Sequence, residues 1–369
     1  MTWDGKTIGI ALSGGGFRAS LFGLGSLWRL NEIGLLRRLD RITSVSGGSI
    51  LSGVLAKNWQ LLSFKDGVAA NFAEQVAEPV KAFCSKTIDI SAGIWGALTP
   101  FRSAGDFLVD RYEEELFGKT TLKELAPPAT NETPVFLFYA TSLQTGRSFR
   151  FRQDYIADYL LGQSTSTVVS LARAVAASSA FPPVFSPIVI KSDPAAWTNS
   201  LTTVPDLQAL QSRIVLADGG VYDNMGLEAL VDRMDISLVS DAGAPFKIDV
   251  SPPEDVAFQL GRVRDILIDQ TRALRKRWLI EEYKAGRKRG AYWGIGTRIG
   301  DYALTDALTK DSATTEALEG IPTRLGSFSK DRQGQLINWG YALADVALRK
   351  RAGIAGGPKA SWPEAEHAV

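Results

Sequence analysis

The sequence predicts an α/β fold of three layers, α/β/α, around a mainly parallel central sheet, with additional helices at the C-terminal end. Three observations predict it. The first 60 residues alternate strand and helix in the order β-turn-α-β-turn-α, which calls for parallel strands joined by right-handed crossovers. Short apolar runs recur further along the chain and stop at glycine, serine or aspartate, the pattern of buried strands bounded by turns. From Val256 onward the apolar spacing becomes helical.

Each element can be justified in turn. Thr7–Leu12 reads as a buried strand and Ser13-Gly14-Gly15-Gly16 as a tight turn. A helix is expected from about Ala19 to Glu32, because Leu21, Leu24, Leu27, Trp28 and Leu30 make a broad apolar stripe that Gly34 ends. Leu39–Val45 is the second strand, and Ser49–Asn58 the helix after it. Residues 62–130 are less regular, and Ala126-Pro127-Pro128-Ala129 breaks the pattern. Val135–Ala140 is the strongest strand of the chain, with Ser148–Arg152 returning after the Thr145-Gly146 turn. Ser170–Ser178 is a helix of small residues stopped by Phe181-Pro182-Pro183. Ile214–Ala217 and Asp235–Asp241 are further strands, the first closed by Asp218-Gly219-Gly220. Long helices are expected over about Leu260–Gly286 and Ser329–Arg351. The expected organisation is therefore one domain over 1–352, with core motifs in 7–245 and a helical part in 256–352, followed by a loose Gly/Pro-rich tail at 353–369.

Composition narrows the function classes. With 45% hydrophobic and 22% charged residues this is ordinary globular material, and a net charge of +1 gives no general field for nucleic acid. The single cysteine, Cys84, excludes an internal disulfide and reads as a small buried hydrophobe. The N-terminus reads as lacking a secretory leader, and no run reaches the roughly 20 apolar residues of a spanning helix. The expectation is a cytoplasmic chain whose contact with lipid, if it has one, is peripheral at the inner membrane surface.

Chemistry concentrates in two turns. Ser44-Val45-Ser46-Gly47-Gly48 has the nucleophile-elbow pattern small-x-Ser-x-Gly, with serine where glycine is usual. The helix starting at Gly47 or Gly48 would aim its positive end at Ser46; alternatively Ser46 or Ser49 merely caps that helix. Gly14-Gly15-Gly16-Phe17-Arg18 leaves a strand and opens a helix, so its amides suit a developing oxyanion, with Arg18 adding charge or bracing the loop. Together with Ala19 it also fits a dinucleotide fingerprint. That reading needs an acidic residue at the tip of the second strand, where Ser44-Val45-Ser46 stands instead.

The only histidine, His367, is the third residue from the C-terminal end, a poor place to fix a triad imidazole. A carboxylate must then serve as base. Asp218, after a buried strand and before two glycines, would emerge at the sheet edge that carries Ser46; Asp241 competes and Asp223 follows closely. Each could equally be a turn-forming aspartate.

These features together resemble the patatin-like phospholipases, acyl hydrolases with a Ser-Asp dyad. The resemblance covers roughly residues 7–245 and rests on four motifs in order: Gly14–Arg18, Ser44–Gly48, Ala177-Ser178-Ser179-Ala180-Phe181-Pro182-Pro183-Val184-Phe185 and Asp218-Gly219-Gly220. Ser44 and Ala19 depart from the commoner glycines and lean toward the cytosolic phospholipase A2 branch. The resemblance implies a patatin-like fold, Ser46 as nucleophile and Asp218 as base. It also implies oxyanion donors in Gly14, Gly15 and Gly16 and in the helix start at Gly47, a phospholipid or lysophospholipid substrate, and no metal or cofactor. The alternatives are a degenerate scaffold or lipid-binding protein and, on the glycine turn, a nucleotide-binding protein. Two segments bear on membranes. Thr271–Arg289 holds eight Arg or Lys against two Glu and reads as a basic amphipathic surface or a solvated helix face. Ile88–Phe101 reads as core or as a flap over an acyl cleft.

Overall fold

In a computed structural model, described over residues 5–88, 103–130, 132–166, 168–201, 203–354 and 356–369, the α/β expectation holds. Five strands make the parallel centre in the order β5 (Val135–Ser142), β2 (Arg41–Val45), β1 (Ile8–Leu12), β12 (Ile236–Asp241) and β13 (Arg289–Gly294). A small hairpin of β3 (Phe64–Lys65) and β4 (Val68–Ala69) stands apart from that sheet. Beyond β5 the sheet turns antiparallel through β6 (Ser148–Phe151), β7 (Ile156–Asp158), β8 (Gly162–Ser164) and β10 (Trp197–Thr198). One further antiparallel pair, β9 (Ile188–Lys191) with β11 (Arg213–Asp218), joins through β11 to β5.

The layers follow from alternation along the strands. Ile8, Ile10 and Leu12 of β1 join the large core beneath α1 (Gly16–Glu32), α2 (Gly47–Asn58) and α5 (Lys330–Ala347). Ala11 faces the other way, into a smaller cluster with Met225, Leu230, Val239 and Leu279, the last from α4 (Val256–Lys284). The remaining helix used below, α3 (Leu171–Ser179), packs against the β5 and β11 region. Glycines let α1 and α5 cross closely: a Cβ on Gly25 would strike the Ile337 carbonyl, and one on Gly340 the Phe22 carbonyl.

Two expectations need correction. β11 runs antiparallel to its neighbour β5, so it is not another strand of the parallel set. The tail is not loose either. Asn338 exchanges hydrogen bonds with Glu364 (2.8 and 3.1 Å) and donates to His367 (2.9 Å), while Lys81 pairs with Glu364 at 2.7 Å and Arg29 donates to Pro358 at 3.0 Å. The partners lie on helices far away in sequence, so composition alone could not reveal them. The proposed flap, apart from the buried Ile88, lies outside the described residues.

Candidate active site

The site forms where two strands meet end to end. β6 occupies one edge of β5, pairing with Phe138–Thr141. The other edge is shared: β2 pairs with Val135–Tyr139, and β11 takes Ala140–Ser142 from the opposite direction. The C-terminal ends of β2 and β11 therefore converge near Tyr139 and Ala140. Ser46 follows the first and Asp218 ends the second. Gly219 has to be small there, since a Cβ would press on the Tyr139 carbonyl.

Ser46 adopts φ 51° and ψ −119°, the strained corner of a nucleophile elbow. It stands at the N-cap position of α2, yet its hydroxyl makes no capping bond. Instead the Ser46 hydroxyl lies close enough to Asp218 to act on its carboxyl, favouring the charged form. The elbow also explains its small neighbours: a Cβ on Gly47 would collide with the Gly16 carbonyl, and one on Gly48 with Leu12.

Asp218 is 2% exposed, its Oδ1 accepts from Gly220 N–H at 2.7 Å, and its own N–H donates to Ala180 at 2.9 Å. Burial pushes its carboxyl up to about 7; Gly220 N–H and the Ser46 hydroxyl oppose that rise, and neither carries a charge. The other aspartates are arranged differently. Asp241 accepts from Arg272 (3.1 and 2.9 Å) and Tyr292 (2.8 Å), and although burial raises its carboxyl, Arg272 brings it below the ordinary range. Asp223 caps the following turn through Met225 N–H (3.1 Å) and Leu227 N–H (2.8 Å). Both carboxylates are thus occupied by other groups of the protein, although burial raises that of Asp223 as well.

The glycine turn lies beside the nucleophile, because a Cβ on Gly14 would sit 3.1 Å from the Ser46 Cβ. Gly14 N–H is already committed to the Asn224 carbonyl at 2.9 Å. Among the described residues nothing accepts from the N–H groups of Gly15, Gly16 or Gly47. Those three N–H groups are therefore open to an incoming acceptor. Arg18 is fully buried and serves as a brace. Its guanidinium donates to the carbonyls of Ala242 (3.2 and 2.6 Å), Glu319 (2.9 Å) and Ile321 (2.5 Å), and burial lowers its pKa to about 10.

Sequence reasoning missed the parts that hold the site together. Ser178 accepts Ser46 N–H twice, at its carbonyl (3.1 Å) and its hydroxyl (3.0 Å), and the same carbonyl takes Gly219 N–H at 3.2 Å. One stretch, Ser178–Ala180, thus anchors the backbones of both Ser46 and Asp218. A chain of hydroxyls continues from Ser178 to Ser49 (2.8 Å) and Ser44 (2.9 Å), giving the unusual elbow serine a buried partner. Asn224 wedges between the two turns, its side chain filling the space beside Gly14 and Gly220. The available signal was the small-residue composition of Ala176–Ala180, which permits close approach, though not its partners.

A family model described as patatin-like phospholipase matches residues 10–231, three-fifths of the chain. The chain belongs to this family. A patatin-like fold is also shown by human GIVD cytosolic phospholipase A2, which aligns with 94% of this chain and 63% of its own at 12% identity and a TM-score of 0.51. The same human enzyme in complex with methyl gamma-linolenyl fluorophosphonate aligns over 92% of this chain and 57% of its own, at 13% identity and a TM-score of 0.51. In sequence, 61 residues are 43% identical to the protein SPO1 of Saccharomyces cerevisiae, described as a "Putative meiotic phospholipase", 16% of this chain and 10% of the yeast protein. The chain thus spans less than two thirds of the length of these relatives. No helix among the described residues is long and apolar enough to cross a membrane.

Proposed function

We propose that this patatin-like chain is a lipid acyl hydrolase of the phospholipase A or lysophospholipase type, working through a Ser46–Asp218 dyad. Asp218 takes the Ser46 proton as the serine oxygen bonds to the ester carbonyl carbon. The carbonyl oxygen gains negative charge against the N–H groups of Gly15, Gly16 and Gly47. Collapse breaks the bond to the leaving alcohol, which receives the proton from Asp218 and leaves an acyl-serine. Water then gives a proton to Asp218 and attacks the acyl carbon; the fatty acid departs as the proton returns to Ser46.

The observation that carries this reading is the meeting of Ser46 and Asp218 at the shared edge of β5, with Asp218 raised to about 7. A carboxylate with the ordinary aspartate pKa is a weak base toward a hydroxyl, and desolvation corrects that mismatch. Family membership supports a lipid ester as substrate. The test is release of fatty acid from a panel of phospholipids, lysophospholipids and short-chain esters. Wild type should hydrolyse at least one class, and Ser46→Ala should lose roughly 10³-fold or more. Equal hydrolysis by both proteins would overturn the assignment; a scaffold or lipid-binding role predicts activity in neither.

A further inference from the structure

Resting on the acyl-hydrolase reading, we infer that the outer face of α4 is a docking surface for an anionic phospholipid bilayer. Val256, Leu260, Val263, Leu267, Leu274 and Trp278 recur at spacings of three, four and seven, so they form one stripe along the helix. Each of them is between 44% and 74% exposed. Such a stripe ordinarily faces a core; here the packed side of α4 is the opposite one, where Leu279 joins the core and Tyr283 donates to Ser237 at 2.7 Å. The preceding loop adds Ile248 and Val250, 91% and 94% exposed. Arg262 links loop and helix by donating to the Lys247 carbonyl at 2.9 Å.

Charge selects the occupant. Between Val256 and Ile280 the helix carries six Arg or Lys against two acids, Asp265 and Asp269. Helical spacing places both acids on the side away from the stripe, with Arg264, which also pairs with Asp265 at 2.8 Å, flanking it on one side and Arg277 on the other. Apolar residues between arginines suit insertion at an anionic headgroup layer. A second copy of the stripe would bring like charges together.

The surface is also joined to the dyad. Arg264 donates to the Pro182 carbonyl at 2.9 Å and lies over the Phe181 ring at 5.0 Å. Phe181 and Pro182 directly follow Ala180, whose carbonyl holds Asp218 N–H. A bilayer engaged by α4 would therefore lie beside the segment that anchors the backbones of Ser46 and Asp218.

The Thr271–Arg289 expectation is refined accordingly. Three of its eight cations are turned inward: Arg272 pairs with Asp241 at 2.9 Å, Lys276 sits 4.8 Å over Tyr292, and Arg275 sits 5.2 Å over Tyr222; Lys284 and Arg287 are exposed but pair with Glu281 and Glu282. The lipid-facing element is the apolar stripe, and the outward arginines only border it.

The test is sedimentation of Ser46→Ala protein with vesicles, which leaves the lipid intact and makes binding independent of catalysis. Vesicles of phosphatidylcholine with phosphatidylglycerol should bind at least about tenfold more tightly than phosphatidylcholine alone. Adding Leu260→Glu and Leu267→Glu should weaken binding about tenfold or more at an unchanged thermal midpoint. If that pair lowers the midpoint, the exposed Arg277→Glu reads the same surface with a smaller loss. Absence of vesicle binding, or equal binding by the stripe variants, overturns the inference. So does a dimer that the stripe variants convert to monomer, since a second copy would then cover α4. Stripe-dependent binding by a chain that hydrolyses no ester would reject the enzyme reading alone.

Discussion

The ends of β11 and β12 carry two aspartates that look alike in sequence and behave oppositely in the fold. Asp218 and Asp241 each close a buried strand, and each is at most 2% exposed. Arg272 and Tyr292 clasp Asp241, and its carboxyl falls below the ordinary range despite burial. Asp218 has only the Gly220 amide and the Ser46 hydroxyl, and burial raises it to about 7. Burial alone therefore does not make a base. What matters is whether a cation has been buried with the carboxylate.

Replacing each aspartate by asparagine tests this contrast with the largest expected effect. Asp218→Asn should abolish hydrolysis, lowering kcat/KM by roughly 10³-fold or more, while the fold persists. Asp241→Asn should instead unfold earlier. It strands Arg272, which is only 15% exposed, and should cost about 3 kcal/mol in a denaturant titration. A stable Asp241→Asn protein without activity would reverse the two assignments.

The pH response should separate the same pair. Hydrolysis of a soluble ester, read as kcat/KM, should rise with pH through about 7 as Asp218 becomes the carboxylate. The stability signs are opposite. Asp218 is raised in the folded chain, so its contribution is present below the ordinary aspartate pKa and is lost as pH rises through about 7. Asp241 is lowered, so its contribution is present above the ordinary pKa and is lost as pH falls through the depressed one. Thermal midpoints should accordingly show Asp218→Asn gaining on wild type between pH 4 and 8. A constant difference across that range would contradict the raised carboxyl.

Much of this was legible in the sequence. The β1-α1-β2-α2 order shows in the apolar runs and their glycine stops, and Ser46 and Asp218 stand out as residues leaving buried strands. The choice among Asp218, Asp223 and Asp241 was not legible from local pattern, because the groups that occupy Asp241 come from Arg272 and Tyr292, far along the chain. Nor was the head-to-head approach of β2 and β11, since strand direction is set by pairing with β5 across dozens of residues. Ser178 was visible only as one small residue among several, and its twofold hold on Ser46 N–H is a property of the assembled site.

That hold gives the smallest predicted effect. Ser178→Ala removes one of two acceptors for Ser46 N–H and interrupts the hydroxyl chain to Ser49 and Ser44. The remaining carbonyl keeps the elbow in place, so kcat should fall by about tenfold or less, with KM nearly unchanged. A matching rise in KM would mean that Ser178 contacts substrate instead of positioning the nucleophile.

The most direct measurement is the rate and site of labelling by a fluorophosphonate, which phosphonylates a serine only when a base activates it. Mass spectrometry should find the adduct on Ser46, within the tryptic peptide Ile42–Lys57, and the rate should collapse in Asp218→Asn while staying near wild type in His367→Ala. An adduct on another residue, or labelling of Ser46 that ignores the loss of Asp218, would contradict a dyad without imidazole.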